Sequence, residues 1–230
     1  MKKIILSVGF LLLFQLGTAQ VNIGARMGMN MGLFELSKVD LEDFAISPRY
    51  NILLNMDVDI PFSMVFSFRT GLGFVQKWSE IDYIPDMKHK DTAFSLLYKM
   101  SCLEVPLFLV LRGETDFYGT FYLGFGPTVS MGVGGKMELF ATAISPKVGE
   151  RQETISLNWR GKPAPANHHG YNHLRRFDLG LGTMFAYQLP RSGLSFTVSY
   201  NRGLRNISPN AGTELRTSYI GAGIGIYMKN

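Results

Sequence analysis

The chain has 230 residues with 25 glycines, a single cysteine and a formal net charge of +5. This length fits one domain, and one cysteine excludes an internal disulfide framework. The basic residues are scattered among acidic ones and match no nucleic-acid motif, so the composition argues against nucleic acid and favours an anionic lipid surface as partner.

Residues 1–19 predict a cleaved signal peptide. Two lysines precede an apolar stretch from Ile4 to Leu16, and Gly17-Thr18-Ala19 supplies the small residues preferred at a cleavage site. An uncleaved anchor is the alternative, but the stretch is shorter than the roughly 20 residues of a spanning helix. We therefore expect export and one mature domain over residues 20–230.

The first segment after this signal, Val21 to Leu33, alternates between two unlike faces. One face carries Val21, Ile23, Ala25, Met27, Met29, Met31 and Leu33. The other carries only glycine, asparagine and Arg26. A period of two predicts a β-strand, and one apolar face opposite a small and polar face suits the wall of an outer-membrane barrel.

Seven further segments repeat this two-faced alternation. They are Arg49 to Ile60, Met64 to Gln76, Lys99 to Arg112, Phe117 to Met131, Phe177 to Leu189, Leu194 to Gly203 and Ser218 to Met228. Short turns at Pro61, Gly113 and Pro190 alternate with long connections. The long connections are Phe34 to Pro48, Lys77 to Thr92, Gly132 to Leu174 and Leu204 to Arg216.

An even number of strands with alternately short and long connections is typical of bacterial outer-membrane barrels. We predict an all-β fold, an eight-stranded antiparallel up-and-down transmembrane β-barrel with periplasmic turns and four outer loops. The alternative is a soluble barrel of lipocalin type, which would turn the apolar face inward. That arrangement would overfill an eight-stranded interior with Phe, Leu and Met side chains.

Five charged residues are predicted to point into the lumen. They are Arg26, Asp57, Arg69, Glu104 and Asp178. We expect Arg69 to pair with Glu104, and Arg26 to pair with Asp57 or Asn55, because an uncompensated buried charge costs several kcal/mol. Eight strands leave an interior just wide enough for side chains, so a structural plug is favoured over a selective pore or a proton path. Cys102 is interpreted as a small inward filler.

Three histidines of the third outer loop, His168, His169 and His173, are candidates for metal ligands. No cysteine or adjacent carboxylate completes the set, and the surrounding residues resemble an exposed turn. We therefore expect neither a metal nor another cofactor.

A lipid-modifying enzyme of the outer membrane is the main catalytic alternative. It would need a nucleophile such as Ser130 within reach of a base such as histidine. All four histidines, at positions 89, 168, 169 and 173, fall in predicted outer loops. No strand pattern brings one to a serine, so we expect no catalytic residues.

Aromatic residues at the strand ends fit the interfacial girdles of a membrane barrel. They are Phe34, Tyr50, Trp78, Phe117, Phe177, Tyr187 and Phe196. A carbohydrate-stacking platform is the alternative for Trp78 and Trp159.

Five short segments carry a family resemblance. They are Val21 to Gly32, Leu103-Glu104-Val105-Pro106-Leu107, Tyr122-Leu123-Gly124-Phe125-Gly126-Pro127, Phe177-Asp178-Leu179-Gly180 and Tyr200-Asn201-Arg202-Gly203-Leu204. With them the chain resembles the PorT-like outer-membrane β-barrel family of Bacteroidetes, whose barrels are OmpX-like. The resemblance implies an eight-stranded outer-membrane barrel, and the family's namesake takes part in type IX protein secretion. The last residues, Ile226 to Asn230, depart from the usual final Phe.

These observations predict a non-enzymatic integral outer-membrane protein with a structural or interaction role through its long loops. The expected partners are outer-membrane lipid and lipopolysaccharide, with other envelope proteins as further candidates. We expect a monomer unless the protein joins a secretion assembly. A component of the type IX secretion machinery and a lipid-modifying enzyme are the two alternatives.

Overall fold

The computed structural model describes residues 21–37, 44–83, 92–115, 119–143, 151–162, 172–210 and 214–228. The predicted signal peptide, Phe117 and the histidines at 89, 168 and 169 lie outside these residues. Nine strands are present in the described part: β1 (Asn22–Ser37), β2 (Phe44–Pro61), β3 (Phe66–Tyr83), β4 (Thr92–Thr115), β5 (Gly119–Ala143), β6 (Arg151–Ser156), β7 (Phe177–Gln188), β8 (Leu194–Gly203) and β9 (Glu214–Met228). None of its residues forms a helix with the length and apolarity to cross a membrane.

Eight of the strands form a closed ring. Each pairs antiparallel with its neighbour in the order β1, β2, β3, β4, β5, β7, β8, β9, and β9 returns to β1. The short β6 adds to the outer part of β5. The predicted eight-stranded antiparallel barrel is confirmed, whereas β6 was not predicted.

The apolar face of the ring points outward. Met27, Met56 and Leu123 are all more than half exposed, while the adjacent Arg26 and Asp57 are buried. A lipocalin-type barrel would show the reverse pattern. The exposed apolar side chains form a belt, called the apolar belt below, that suits contact with lipid acyl chains.

Most strands are longer at their outer ends than the alternation predicts. β3 continues to Tyr83, β4 begins at Thr92 and β5 continues to Ala143, so parts of the four predicted loops are strand. The hydrophobic alternation fades there because apolar side chains such as Ile81 and Leu96 now occupy the inner face. By contrast, β7 and β8 keep their predicted outer limits at Phe177 and Gly203.

A cluster of apolar side chains, called the apolar cap, fills the outer part of the barrel. Its buried members are Phe34, Ile81, Leu96, Tyr98, Met100, Cys102, Met137, Leu157, Leu174, Ile207 and Leu215. The assignment of Phe34 to the outward girdle is wrong, because the inward phase of β1 continues from Asn30 to this residue, which is only 2% exposed.

Irregular segments complete the wall above the short strands β7 and β8. Residues 157–161, 172–176 and 206–208 take the place of regular strands there. Their backbone bonds run from Leu157 N to Gly135 O (3.1 Å), from Leu174 N to Asn158 O (2.8 Å), from Arg175 N to Ile207 O (2.7 Å) and from Ile207 N to Leu215 O (2.9 Å). The apolar cap is therefore enclosed on this side as well.

Closure of the ring brings β1 and β9 close together at two facing glycines, Gly28 and Gly223. A Cβ atom on Gly28 would lie 2.1 Å from the backbone oxygen of Ala222 and 2.6 Å from the Cα atom of Gly223. Backbone atoms cannot move aside as a flexible side chain can. The contact between β1 and β9, called the seam below, thus requires a residue without a side chain at position 28.

We expect Gly28→Ala to lower the free energy of unfolding by about 1–3 kcal/mol, the usual cost of overpacking. The measurement is the urea midpoint in detergent micelles, read from heat-modifiable migration on a denaturing gel. Gly113→Ala is the matched control, because a Cβ atom at Gly113 meets nothing within 4 Å. Equal midpoints for the two variants would contradict the seam argument.

Candidate functional site

The polar side chains inside the barrel form two groups. The lower network, near the short turns, consists of Arg26, Asp57, Asp59, Arg69 and Tyr227. The upper network, beneath the apolar cap, consists of Lys77, Glu104, Ser130, Asn201 and Tyr219. All ten side chains are buried. They alternate along their strands with outward residues, so the strand period itself places them in the lumen.

The lower network joins two arginines to two aspartates through a tyrosine. Arg69 Nε donates to Asp59 Oδ1 at 3.1 Å, and its Nη1 donates to the Tyr227 hydroxyl at 3.3 Å. The Tyr227 hydroxyl in turn donates to Asp57 Oδ2 at 2.7 Å. Arg26 Nε lies 3.5 Å from the same Asp57 oxygen. Both buried arginines therefore have a carboxylate partner.

Aromatic rings also surround the Arg69 guanidinium. Its Cζ atom lies 4.7 Å from the ring centroid of Tyr122 and 5.0 Å from that of Tyr227. A cation over an aromatic face is attracted by the ring quadrupole, and more strongly where water is excluded. The Tyr122 hydroxyl donates to Gln188 Oε1 at 2.7 Å. Arg69 is thus held between two rings in a filled part of the lumen.

Glu104 is the centre of the upper network. Its Oε2 accepts from Ser130 Oγ at 2.7 Å and lies 3.3 Å from Lys77 Nζ. Its Oε1 accepts from the Tyr219 hydroxyl at 2.5 Å and from Asn201 Nδ2 at 3.3 Å. Lys77 Nζ also donates to Ser130 Oγ at 3.3 Å. Four partners from four other strands therefore converge on one carboxylate.

The expected pair of Arg69 with Glu104 is not formed. In the register of β3 and β4, Arg69 faces Phe108 while Glu104 faces Gly73, which separates the two charges by about 13 Å along the strands. Arg69 pairs instead with Asp59, its direct neighbour on β2. Arg26 does lie beside Asp57, as expected.

Sequence reasoning did not identify Lys77 as the partner of Glu104. Lys77 was placed in an outer loop because the apolar alternation ends after Phe74, yet it has the same parity along β3 as the inward Arg69 and Val75. Counting that parity beyond the apolar segment would have placed this lysine in the lumen.

Asp178 lies at the top of the upper network. Its Oδ2 accepts from Thr217 Oγ1 at 3.1 Å, and its Oδ1 has no hydrogen-bond partner among the described residues. A cavity of about 10 Å³ beside it is lined by Lys77, Trp159 and Arg175 among others. This volume is at the lower limit for a single water molecule. The site therefore offers no room for a larger ligand.

The candidate metal ligands are not brought together in the described part of the chain. His173 Nδ1 lies 3.0 Å from the Lys162 carbonyl oxygen, and its Nε2 lies 3.4 Å from Asn158 Nδ2. His168 and His169 lie outside the described residues. Within the described ranges, no three His, Cys, Asp or Glu residues are grouped as a metal site. Cys102 is buried in the apolar cap.

Ser130, the candidate nucleophile, is buried and bonded to Lys77 and Glu104. His173, the described histidine, bonds residues of the outer segments instead. The described residues thus do not place a histidine beside this serine.

Above the apolar belt, Glu80 of β3 forms an ion pair and a hydrogen bond that belong to neither lumen network. Its Oε1 accepts from Ser95 Oγ at 2.8 Å, and its Oε2 accepts from the Arg49 guanidinium. Partial burial disfavours the charged carboxylate, but the two hydrogen bonds and the Arg49 charge outweigh it and lower the pKa of Glu80. The ionised form therefore stabilises this part of the fold.

Residues 15–208 match the family model described as outer membrane protein beta-barrel domain. Among solved structures, the chain is similar to Ail, the attachment invasion locus protein of Yersinia pestis, with 10% identity and a TM-score of 0.42 over 91% of this chain and 99% of that chain. It is also similar to OprG from Pseudomonas aeruginosa, with 11% identity and a TM-score of 0.40 over 92% and 98%. A third is Neisserial surface protein A, with 9% identity and a TM-score of 0.36 over 89% and 96%. No curated protein sequence matches significantly.

We expect Lys77→Met to lower the free energy of unfolding by about 3–5 kcal/mol, because it leaves the Glu104 carboxylate buried without a compensating charge. Lys77→Met/Glu104→Gln should recover more than half of this loss. The readout is the urea midpoint in detergent at pH 7. Lys136→Met, which removes an exposed lysine of β5, is the control and should stay within about 0.5 kcal/mol of wild type. A double variant no more stable than Lys77→Met would refute the pairing.

We expect Glu80→Gln to lower the free energy of unfolding at pH 7 by up to about 1 kcal/mol, the range of a partly exposed ion pair. Because the folded state lowers the pKa of Glu80, its stabilisation is complete above the unfolded value of about 4.3 and is lost as the pH falls through the folded value. Urea unfolding of wild type and variant from pH 7 to pH 3 should therefore show a difference that narrows below about pH 4.3. A difference that persists unchanged at pH 3 would contradict this sign.

Proposed function

The chain belongs to the family of outer membrane protein beta-barrel domains, and from this premise we propose that it is a non-enzymatic scaffold with a closed lumen. In this function the barrel anchors the protein in the outer membrane, and the outer end contacts lipopolysaccharide and other envelope molecules. The observation that carries the proposal is the filling of the lumen at successive levels.

The lumen is filled from the lower network to the apolar cap. Phe108, Val110 and Met184 form an apolar layer that packs against the lower network, and Arg69 Nη1 lies 3.8 Å from the Met184 sulfur. The upper network and the apolar cap follow toward the outside. A conducting path needs a continuous hydrated passage. In this barrel, the side chains of these layers occupy the space that such a passage would need. The same filling leaves no space for a substrate beside Ser130.

The outer end of the barrel suits contact with other molecules better than the passage of solutes. The ten residues of β5 that follow Val133 extend about 33 Å along the strand, at about 3.3 Å per residue. This part of the strand lies beyond most of the apolar belt and is supported by the apolar cap inside. Polar pairs such as Lys99 with Glu138, at 2.6 Å, lie on its surface. A polar projection that is packed from inside in this way supports an interaction role.

The resemblance to PorT-like barrels of Bacteroidetes makes a role in type IX secretion the second proposal. Four of the five segments that carry it lie on β4, β5, β7 and β8, which are neighbours in the ring. They supply Glu104, Asp178 and Asn201 to the interior. The resemblance therefore rests mainly on the strands around the upper network. Because these strands fill the lumen, they support the scaffold function more directly than a secretion function.

Export through a cleaved signal peptide over residues 1–19 is part of the same proposal. The mass of the protein purified from the outer membrane should then correspond to a chain that begins at Gln20. A lipid-modifying activity, the catalytic alternative, would change the mass spectrum of lipid A when the gene is deleted. The bonds that Ser130 makes to Lys77 and Glu104 support an unchanged spectrum.

We expect the purified wild type to give no single-channel openings in planar bilayers. Phe34→Ala/Tyr98→Ala/Leu174→Ala, which removes part of the apolar cap, should be equally silent because both polar networks lie beneath it. Clear ohmic openings of the wild type would overturn the closed scaffold.

Crosslinking in living cells, followed by identification of the bound proteins, separates the two proposals, because a secretion component should be recovered with the other parts of a stable assembly.

A further inference from the structure

One side of the outer end carries an unbalanced positive charge. The basic residues are scattered when counted over the whole chain, but between Glu153 and Glu214 there are seven Lys or Arg residues and a single acidic residue, Asp178. The basic residues are Arg160, Lys162, Arg175, Arg176, Arg191, Arg202 and Arg205. Asp178 points into the barrel, where it bonds Thr217. Only Arg191 lies in a periplasmic turn, so the other six are on the outer side.

Two of these arginines meet at the outer end of β7. Arg176 directly precedes the strand, and its carbonyl oxygen accepts from Gly132 N at 2.7 Å, which fixes the backbone there. Arg205 follows β8, and its Nη1 donates to the Phe177 carbonyl oxygen at 3.4 Å. The Arg205 guanidinium therefore lies beside the residue that follows Arg176.

The backbone of a third arginine lies near them, in the segment after β6. Arg160 forms an antiparallel bridge with Arg175, the chain neighbour of Arg176. Arg175 itself is only partly exposed, and its Nη1 donates to the Asn206 carbonyl oxygen at 3.3 Å. Arg160, Arg176 and Arg205 are all exposed. These three residues are called the arginine rim below.

The arginine rim carries charge without a carboxylate partner in the described part of the chain. Nearby arginines are paired, since Arg202 Nη2 lies 2.7 Å from a Glu35 oxygen and Arg216 Nη2 lies 3.5 Å from a Glu214 oxygen. None of the three rim side chains has such an ion pair among the described residues. The segments 163–171 and 211–213, which are the nearest in sequence to the three arginines among those outside the described residues, contain no Asp or Glu.

The height of the arginine rim matches the edge of a lipid bilayer. Phe177 and Leu179, just below it on β7, are 52% and 49% exposed and belong to the apolar belt. Because β7 and β8 end here, the rim follows the belt directly instead of lying high on the projection formed by β4 and β5. Side chains at this level meet lipid headgroups.

We propose that the arginine rim binds phosphate groups of lipopolysaccharide in the outer leaflet. The proposal rests on the outer-membrane function proposed above, because it requires this end to face outside. A guanidinium matches phosphate through two parallel hydrogen bonds, so three of them suit a headgroup with several phosphates. A phospholipid such as phosphatidylglycerol offers a single phosphate and would leave part of the rim unused.

The test uses the full-length folded protein in neutral detergent micelles at low salt. The probe is fluorescently labelled rough lipopolysaccharide, compared with the same material after removal of its phosphates. Arg160→Gln/Arg176→Gln/Arg205→Gln should lower the affinity at least about tenfold, and Arg176→Gln alone about threefold, in line with the modest contribution of each exposed ion pair. Arg191→Gln is the matched control, since it removes the same charge at the periplasmic end, and it should bind as wild type does. Heat-modifiable migration checks that each variant is folded.

Binding of lipopolysaccharide by the folded triple variant with wild-type affinity would overturn the proposal. Equal binding of the dephosphorylated material by the wild type would do the same. If phosphatidylglycerol in the same micelles competes as well as lipopolysaccharide, the assignment to lipopolysaccharide fails. Each of these results can occur while the barrel is folded and silent in planar bilayers, so they are distinguishable from a failure of the scaffold function.

Discussion

A polypeptide in lipid has no water to satisfy its backbone, and closure of the sheet on itself is the constraint on which this structure depends. The pairing of β1 with β9 completes the ring and leaves no strand edge within the apolar belt. The glycines at this seam allow the two backbones to approach closely. Both the outward apolar face and the narrow interior follow from this closure.

A ring of eight strands encloses a space that side chains can fill, and the way this one is filled decides what the protein can do. A buried charge is tolerated there only when it has ion-pair and hydrogen-bond partners. The Glu104 carboxylate has four of them, Lys77, Ser130, Asn201 and Tyr219. Such a network is strongly destabilised when one member is removed. The interior therefore acts as a structural core, and the proposed recognition is assigned to the outer surface.

The membrane-facing part of the fold could be predicted from the sequence because lipid outside and polar groups inside impose a strict alternation. The prediction failed where that contrast ends. At the outer ends of β3, β4 and β5 the interior is apolar too, so neither the strand extensions nor the position of Phe34 could be read from the pattern. Ion pairs depend on register, which alternation does not specify, and Arg69 was therefore assigned to Glu104 rather than to Asp59. The arginine rim depends on three segments that meet only in the folded chain.

Because the strands differ in length, the outer end of the barrel differs between its two sides. A 25-residue β5 and a 24-residue β4 rise on one side, while β7 and β8, with 12 and 10 residues, stop at the edge of the apolar belt on the other. A molecule that approaches along the membrane plane meets a wall of regular strands on the first side and the irregular segments with the arginine rim on the second. The outer end of the described barrel therefore has two unlike sides, and a neighbour in the membrane would meet a different surface on each of them.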